Sequence, residues 1–523
     1  MTSDVSKSAS NAPGSRRLPL VISVGFALAV AMFAAILIRW PDNFFADDSY
    51  FYFQVAWNIA RGFGSTFNNI IPTNGYHPLW MMICVAVFKV LPSKLVAVHG
   101  IGAVISLLDV GALILIALLL KRLTPGLWWA AWFLFIPFCF LTQLGTEGAL
   151  SGFFLAALAL ATSELCKGPN GLRGLVFALC GALAVLSRLD NIFVVSFIFL
   201  AVFVSAPSAV RPRIRRLLML CIPVYLVLWG AYVGSNLHWF GTVQPISGML
   251  KAHAHSESKH INVPPHIAMI GLAIIVPGIL ILARFRRDTF FRVVELPFAI
   301  GVLLHAAYIS FVMSSETRWS WYYTSWILLA SILLSRVSSL VLRGNTRLRD
   351  GLAGASLLLL FGVWYVVGYK QFAHVVPDAL GAGYQANLSD RLHLHTVLAF
   401  DKPGRVAYYT DVRIIALDGL MGDLQFQHDL ATRGIAAFDA EHQVDGFIGP
   451  TQPLDANQRS MFCDHVYLSS VKLHCYLDPD GEWRADGVEV FARLTGQSAG
   501  TLHLAPGNLV WNLPTQVAVW RLP

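Results

Sequence analysis

The chain has 523 residues, 56% of them hydrophobic and only 13% charged, where a soluble globular domain is about a quarter charged. That imbalance excludes an ordinary water-soluble enzyme and places most of the chain in a bilayer. The net charge of +8 is no nucleic-acid footprint, because many basic residues, Arg211, Arg213, Arg215 and Arg216 among them, fall in short loops between apolar blocks, where positive charge reports membrane orientation.

Arg16 and Arg17 precede an apolar run from Leu18 to Ile38 that lacks an A-x-A-like cleavage site, which predicts an anchored first helix rather than a signal peptide. Further apolar blocks match the ~20 residues a helix needs to cross hydrocarbon. They predict helices near 100–120, 126–142, 148–163, 173–187, 192–207, 217–234, 267–283, 293–312, 323–341 and 351–369. Backbone facing lipid must satisfy its own hydrogen bonds, so this part is helical. Basic clusters at Arg16/Arg17, Lys121/Arg122, Lys167 to Arg173, Arg211 to Arg216, Arg284 to Arg287 and Arg343 to Arg349 mark the cytoplasmic side. The loops near Thr146-Glu147, near Arg188 to Asp190, from Asn236 to Pro265 and from Ser314 to Trp321 then lie outside. Pro78 to Leu91 breaks this parity if it spans; its length is that of a re-entrant or interfacial segment, and a full span stays open. The expectation is an all-α polytopic membrane domain of about 11 to 13 transmembrane helices, in the plasma membrane with its N-terminus cytoplasmic.

Past Lys370 the sequence turns polar, with short β-like runs at Arg405 to Tyr409, Ile414 to Leu417, His465 to Leu468 and Val488 to Ala492. The predicted organisation is a tail over 1–17, a membrane domain over 18–370 with a first outer loop over about 39–77, and a small extracytoplasmic α/β domain over 371–523. Cys463 and Cys475, two of the seven cysteines, fall in that outer domain, where a disulfide and two separate thiols are both open.

The first outer loop carries the chemistry. Asp47-Asp48 opens an aromatic-rich segment through Tyr52 and Phe53, followed by Gly62-Phe63-Gly64 and then Asn74-Gly75-Tyr76-His77-Pro78-Leu79-Trp80. The spacing predicts a helix along the membrane surface capped by the two acids. This order of acid-acid, aromatic helix, Gly-x-Gly and Asn-Gly-Tyr-His-Pro-Leu-Trp resembles the first outer loop of the GT-C superfamily, which includes the protein O-mannosyltransferases, the lipid A aminoarabinose transferases and the mycobacterial arabinofuranosyltransferases. The resemblance is specific over 45–80 and weak over the rest of the first 370 residues or so.

It implies a glycosyltransferase, hexosyl- or pentosyl-transferring, that takes its sugar from a polyprenyl phosphate. A carboxylate of this loop would be the acid/base: Asp47, matching the family's first acid, is the expected general base of an inverting transfer, with Asp48 in the second place. The acceptor would be a glycan, lipid or protein. Thr146-Glu147, Arg188-x-Asp190 and the segment from Phe240 to Lys251 also look like family elements. Lys251, Arg188 and Arg318 are the candidate cations for the donor phosphate; His77, Asn74, Tyr52, Glu147, Asp190, Tyr322 and Tyr323 are the candidate substrate contacts. Charged residues at intramembrane edges are functional or mutually paired, so an Arg188–Asp190 ion pair stays open.

His253, His255 and His260 near Glu257 offer metal-ligand types. The acids are adjacent rather than spaced as Asp-x-Asp, and a monophosphate donor lacks the pyrophosphate that metals bridge, so no metal or other cofactor is expected. A transporter or flippase would need repeats or broken helices at the bilayer midplane, which the sequence does not display. An O-antigen-type polymerase or ligase would place its catalytic loop late in the chain rather than first.

Overall fold

A computed structural model describes residues 17–123, 145–253, 265–313, 320–341, 395–399, 403–416, 419–429, 441–450, 503–504 and 517–521, with single positions at 348, 351, 352, 355 and 389. The helices in chain order are α1 (Arg17–Arg39), α2 (Asp47–Ala60), α3 (Pro78–Val90), α4 (Lys94–Leu123), α5 (Gly148–Lys167), α6 (Gly171–Ser187), α7 (Ile192–Ser205), α8 (Arg211–Phe240), α9 (Ile246–His253), α10 (Pro265–Phe285), α11 (Leu296–Phe311) and α12 (Thr324–Val341). Among the described residues, four stretches are long and apolar enough to cross a membrane: α4, α5, α8, and Phe291–Phe311, which joins a π-helical turn to α11. The fold is a helical, multi-pass membrane domain. The expected span at 126–142, and nearly all of that at 351–369, lies outside the described residues. Helix α3 has 13 residues; at 1.5 Å per residue it is ~20 Å long, short of the ~30 Å hydrocarbon core.

Two apolar cores organise the molecule. The first lies within the bundle, where Leu155, Phe177, Val194, Ile198, Phe298 and Leu329 are fully or almost fully buried. The second joins α2 and α3 to the C-terminal region through Tyr50, Phe53, Trp80, Phe88, Val397 and Tyr408. Helix α8 stands apart, with Met219, Leu220, Leu226 and Val227 exposed. An apolar flank of that kind suits lipid rather than water.

The expected surface helix is buried instead. Ser49 through Ala56 of α2 are all buried, because α3 covers one side and a later helix, α13 (Pro403–Tyr409), covers another. The two acids do not cap α2 either. Its N-cap is Ala46, with no side-chain cap bond, and Asp47 and Asp48 sit in the first turn.

The C-terminal region is a mixed five-stranded sheet: β1 (Thr396–Ala399), β2 (Arg413–Ala416), β3 (Gly446–Pro450), β4 (His503–Leu504) and β5 (Val517–Arg521), in the order β2-β1-β3-β5-β4. β1 is parallel to β2 and β3, while β5 is antiparallel to β3 and β4. The run expected as a strand at Ile414 to Leu417 is β2. That at Arg405 to Tyr409 is the helix α13: a short apolar run does not separate strand from helix by periodicity, and Pro403 at the first helical position favours the helix. The runs at 465–468 and 488–492, and both Cys463 and Cys475, lie outside the described residues.

Candidate functional site

A cavity of about 600 Å³ opens where α2, α8, α9 and the loops preceding α3, α5 and α7 converge, a size typical of small-molecule sites. One wall is charged, with Asp48, His77, Glu147, Arg188, Asp190 and Lys251. Aromatic and apolar residues, Trp229, Tyr232, Val233, Tyr308, Trp321 and Tyr322, also line the cavity. Leu420 and Met421 of the C-terminal region complete the lining.

Arg188 organises the charged wall. Helix α6 ends on it because its backbone is extended (φ −154, ψ 115), and a short 3-10 turn over Leu189–Asn191 reverses the chain into α7. The Asn191 amide pins that turn by donating to Ser151 Oγ and the Ala184 carbonyl, each at 2.8 Å. From there Arg188 donates to Glu147 at 2.6 Å and to both oxygens of Asp190 at 2.8 to 3.0 Å, while its guanidinium lies 4.1 Å from the Tyr322 ring centre. Burial pulls Arg188 down, but Asp190 and Glu147 outweigh it and hold it above its ordinary range. The sequence left Arg188 open as a phosphate ligand or an ion pair; the structure places it between two carboxylates.

The network extends both ways. Tyr52 donates its hydroxyl to Glu147 at 2.9 Å and accepts the His77 backbone N–H at 3.1 Å. On the other side Asp190 faces His305 Nε2 at 2.9 Å, and the Trp326 indole donates to His305 Nδ1 at 3.3 Å. Since an indole only donates, His305 Nδ1 is the acceptor and Nε2–H points at Asp190. His77 is arranged alike: its Nδ1 accepts the Leu189 N–H at 3.3 Å, and its Nε2 lies 3.6 Å from Glu147.

Burial holds His77 below the ordinary imidazole value of 6.5, opposed by Glu147 and Asp190 and reinforced by Arg188 and Lys251. Its neutral ring is therefore the folded form. Its stability contribution is full above the unfolded value and is lost as the pH falls through 6.5 toward the folded value. His77→Gln is expected to shrink the drop in melting temperature between pH 7 and pH 5; an unchanged drop would show that the ring already carries its proton in the folded protein.

Lys251 is the second lining cation, its ammonium 3.4 Å from the Tyr322 hydroxyl. Burial lowers it, but Tyr322, Asp48 and Glu147 outweigh burial and hold it above the ordinary lysine range. Asn74, expected to touch substrate, is absent from the lining. It is a buried bolt that donates to Thr242 Oγ1 at 3.1 Å and accepts the Ile246 N–H at 3.0 Å, fixing the start of the helix that carries Lys251. Tyr323 is likewise buried in the bundle core rather than facing the cavity. Arg318, His255, Glu257 and His260 lie outside the described residues, and of His253 only the backbone is described, as the end of α9.

The two acids separate. Asp48 lines the cavity and Asp47 does not. The Asp47 carboxylate accepts the backbone N–H groups of Gly404 and Arg405, each at 2.9 Å. Burial raises Asp47 to about 7, against the pull of those N–H groups and the Arg405 charge, with Asp48 adding to the rise. The position matched to the family's first acid thus bonds the C-terminal region, and its neighbour faces the site.

The backbone resembles that of ArnT from Cupriavidus metallidurans in the apo state, with a TM-score of 0.50 and 12% identity over 78% of this chain and 91% of that one. The chain shares the fold of that structure. The archaeal oligosaccharyltransferase AglB from Archaeoglobus fulgidus, in complex with an inhibitory peptide and a dolichol-phosphate, aligns with a TM-score of 0.47 and 11% identity over 88% of this chain and 74% of that one. No protein-family model and no curated protein matches the sequence. Within this fold the sequence reading missed His305, Trp326 and Met421, and it gave the turn at 418–420 no chemistry. An ionisable residue inside an apolar helix is itself a signal, and His305 in the middle of α11 carries it; nothing local marks Met421 as a cavity residue.

Proposed function

We propose that the chain is an extracytoplasmic-facing membrane glycosyltransferase that moves a sugar from a polyprenyl-phosphate donor to a hydroxyl acceptor, with Asp48 as the general base. The carrying observation is that Asp48 and Lys251 line one cavity together with Trp229 and Tyr232 of α8, a helix that exposes Leu226 and Val227. An acceptor hydroxyl is a weak nucleophile at neutral pH, so a carboxylate within reach must take its proton as it attacks the anomeric carbon. The bond from that carbon to the phosphate oxygen breaks with its electron pair leaving on the lipid phosphate. A fixed cation in a dry site stabilises that developing charge, which is the role of Lys251, with the Tyr322 hydroxyl beside it. Attack opposite the leaving group inverts the anomeric centre. Arg188, paired with Glu147 and Asp190, shapes the wall rather than binding the phosphate, and the step needs no metal. The donor's tail would lie along α8, past Trp229 and Tyr232.

The test is release of polyprenyl phosphate and glycosylation of an acceptor fraction by purified protein in liposomes, supplied with a panel of polyprenyl-phosphate monosaccharides. Transfer from one member is expected. Lys251→Met should lower its turnover by about 10²- to 10³-fold, the usual loss of one charge-stabilising donor. Movement of the intact lipid between leaflets without cleavage would instead identify a flippase and end the transferase reading.

A further inference from the structure

We propose that Asp47 is a positioning residue that ties the first outer loop to the C-terminal region and so holds the turn at 419–422 against the cavity. This rests on the transferase reading of the cavity, and it gives the first acid of the pair a task other than proton transfer.

The contact is built from both sides. Asp47 Oδ2 accepts the Gly404 N–H and Oδ1 accepts the Arg405 N–H. A Cβ on Gly404 would stand 2.3 Å from the Asp47 carbonyl oxygen, so the approach is one only glycine permits. The Arg405 guanidinium donates to the carbonyls of Asp42 and Phe45 at 3.0 and 3.1 Å and lies 4.9 Å from the centre of the Tyr50 ring. Tyr409 donates to Asp42 at 2.5 Å. A second tie joins Lys94, which donates to the Tyr408 carbonyl at 2.6 Å, to the Tyr408 hydroxyl, which donates back to the Lys94 carbonyl at 2.6 Å. From α13 the chain runs through β2 to the turn, where a Cβ on Gly75 would meet the Leu420 carbonyl oxygen at 2.0 Å, and Leu420 and Met421 enter the lining. Asp47 thus fixes the lining contributed by the C-terminal region relative to Asp48, its immediate neighbour.

Cap chemistry separates this task from catalysis. The two N–H groups bond different oxygens of the carboxylate; an asparagine keeps one acceptor and turns an N–H donor toward the other group, so it holds the contact in part, and an alanine does not hold it at all. A general base must take a proton, which an amide cannot do. Burial already brings the neutral form of Asp47 within reach near pH 7, so removing its charge leaves no new burial cost.

Hydrogen exchange and steady-state kinetics on the full-length protein in nanodiscs provide the test. Asp47→Ala is expected to speed exchange of the α13 amides by about 5- to 30-fold, the effect of one lost cap, and to raise the acceptor KM more than it lowers kcat. Asp47→Asn, with one acceptor left, is expected to fall between Asp47→Ala and wild type in both. Gly404→Ala, which pushes α13 off Asp47, should reproduce the alanine phenotype even if Asp47→Ala fails to fold. Unchanged α13 exchange in both alanine variants would overturn the proposal, as would a kcat in Asp47→Asn reduced as deeply as in Asp48→Asn. The exchange readout needs no substrate, so it stands or falls apart from the transferase reading.

Discussion

Asp48→Asn is expected to lower kcat by about 10²- to 10⁴-fold, the range of general-base contributions, or roughly 3 to 5 kcal/mol of barrier at 1.36 kcal/mol per tenfold. The amide keeps the shape of the carboxylate but cannot accept the acceptor's proton, so the loss belongs in the chemical step. Donor affinity should change little: Asp48 is one of the groups raising Lys251, and losing it leaves Tyr322 and Glu147 to keep the ammonium charged. Single-turnover transfer from the donor that is active with wild type reads the chemical step directly, with donor Kd measured in parallel. Wild-type turnover would remove Asp48 as the base. A large rise in donor Kd at constant single-turnover rate would make it a binding group.

Much of this arrangement was legible in the sequence, for particular reasons. Apolar blocks near the length of a membrane crossing marked α4, α5, α8 and α11, because lipid leaves the backbone little choice but helix. The acidic pair was recognisable, but not which acid faces the site. Successive helical residues point about 100° apart, and the side that became the cavity depends on α13, which arrives some 350 residues later in the chain and takes Asp47 for itself. Asn74 misled for a similar reason. A polar residue beside the motif reads as a substrate contact until α8 and α9 close on it and consume its amide. Arg188-x-Asp190 was readable as an ion pair because the two residues are neighbours in sequence, whereas its third and fourth members, Glu147 and His305, come from other helices. The residues that surround the chemistry are set by long-range packing, and local pattern records only those on the loop itself.

Arg188→Met is expected to destabilise the protein by about 3 to 5 kcal/mol, the cost of breaking a buried ion pair from one side. The methionine fills the volume, so the loss is electrostatic. Glu147 and Arg188 are each only 2% exposed, and without the guanidinium the hydrogen-bond partners left among the described residues are the Tyr52 hydroxyl for Glu147 and His305 for Asp190. Buried carboxylates stripped of their cation either unfold the site or take up protons. The variant should therefore lose more stability at pH 8 than at pH 5, because protonation at the lower pH removes the unpaired charge. Glu147→Gln on the Arg188→Met background should recover part of the loss, since it replaces one stranded carboxylate with a neutral group that still accepts from Tyr52. A double-mutant cycle measured by thermal unfolding in detergent isolates that coupling. Strict additivity of the two substitutions would mean that the Arg188–Glu147 contact contributes nothing to the fold, and that Arg188 remains available to a substrate phosphate after all.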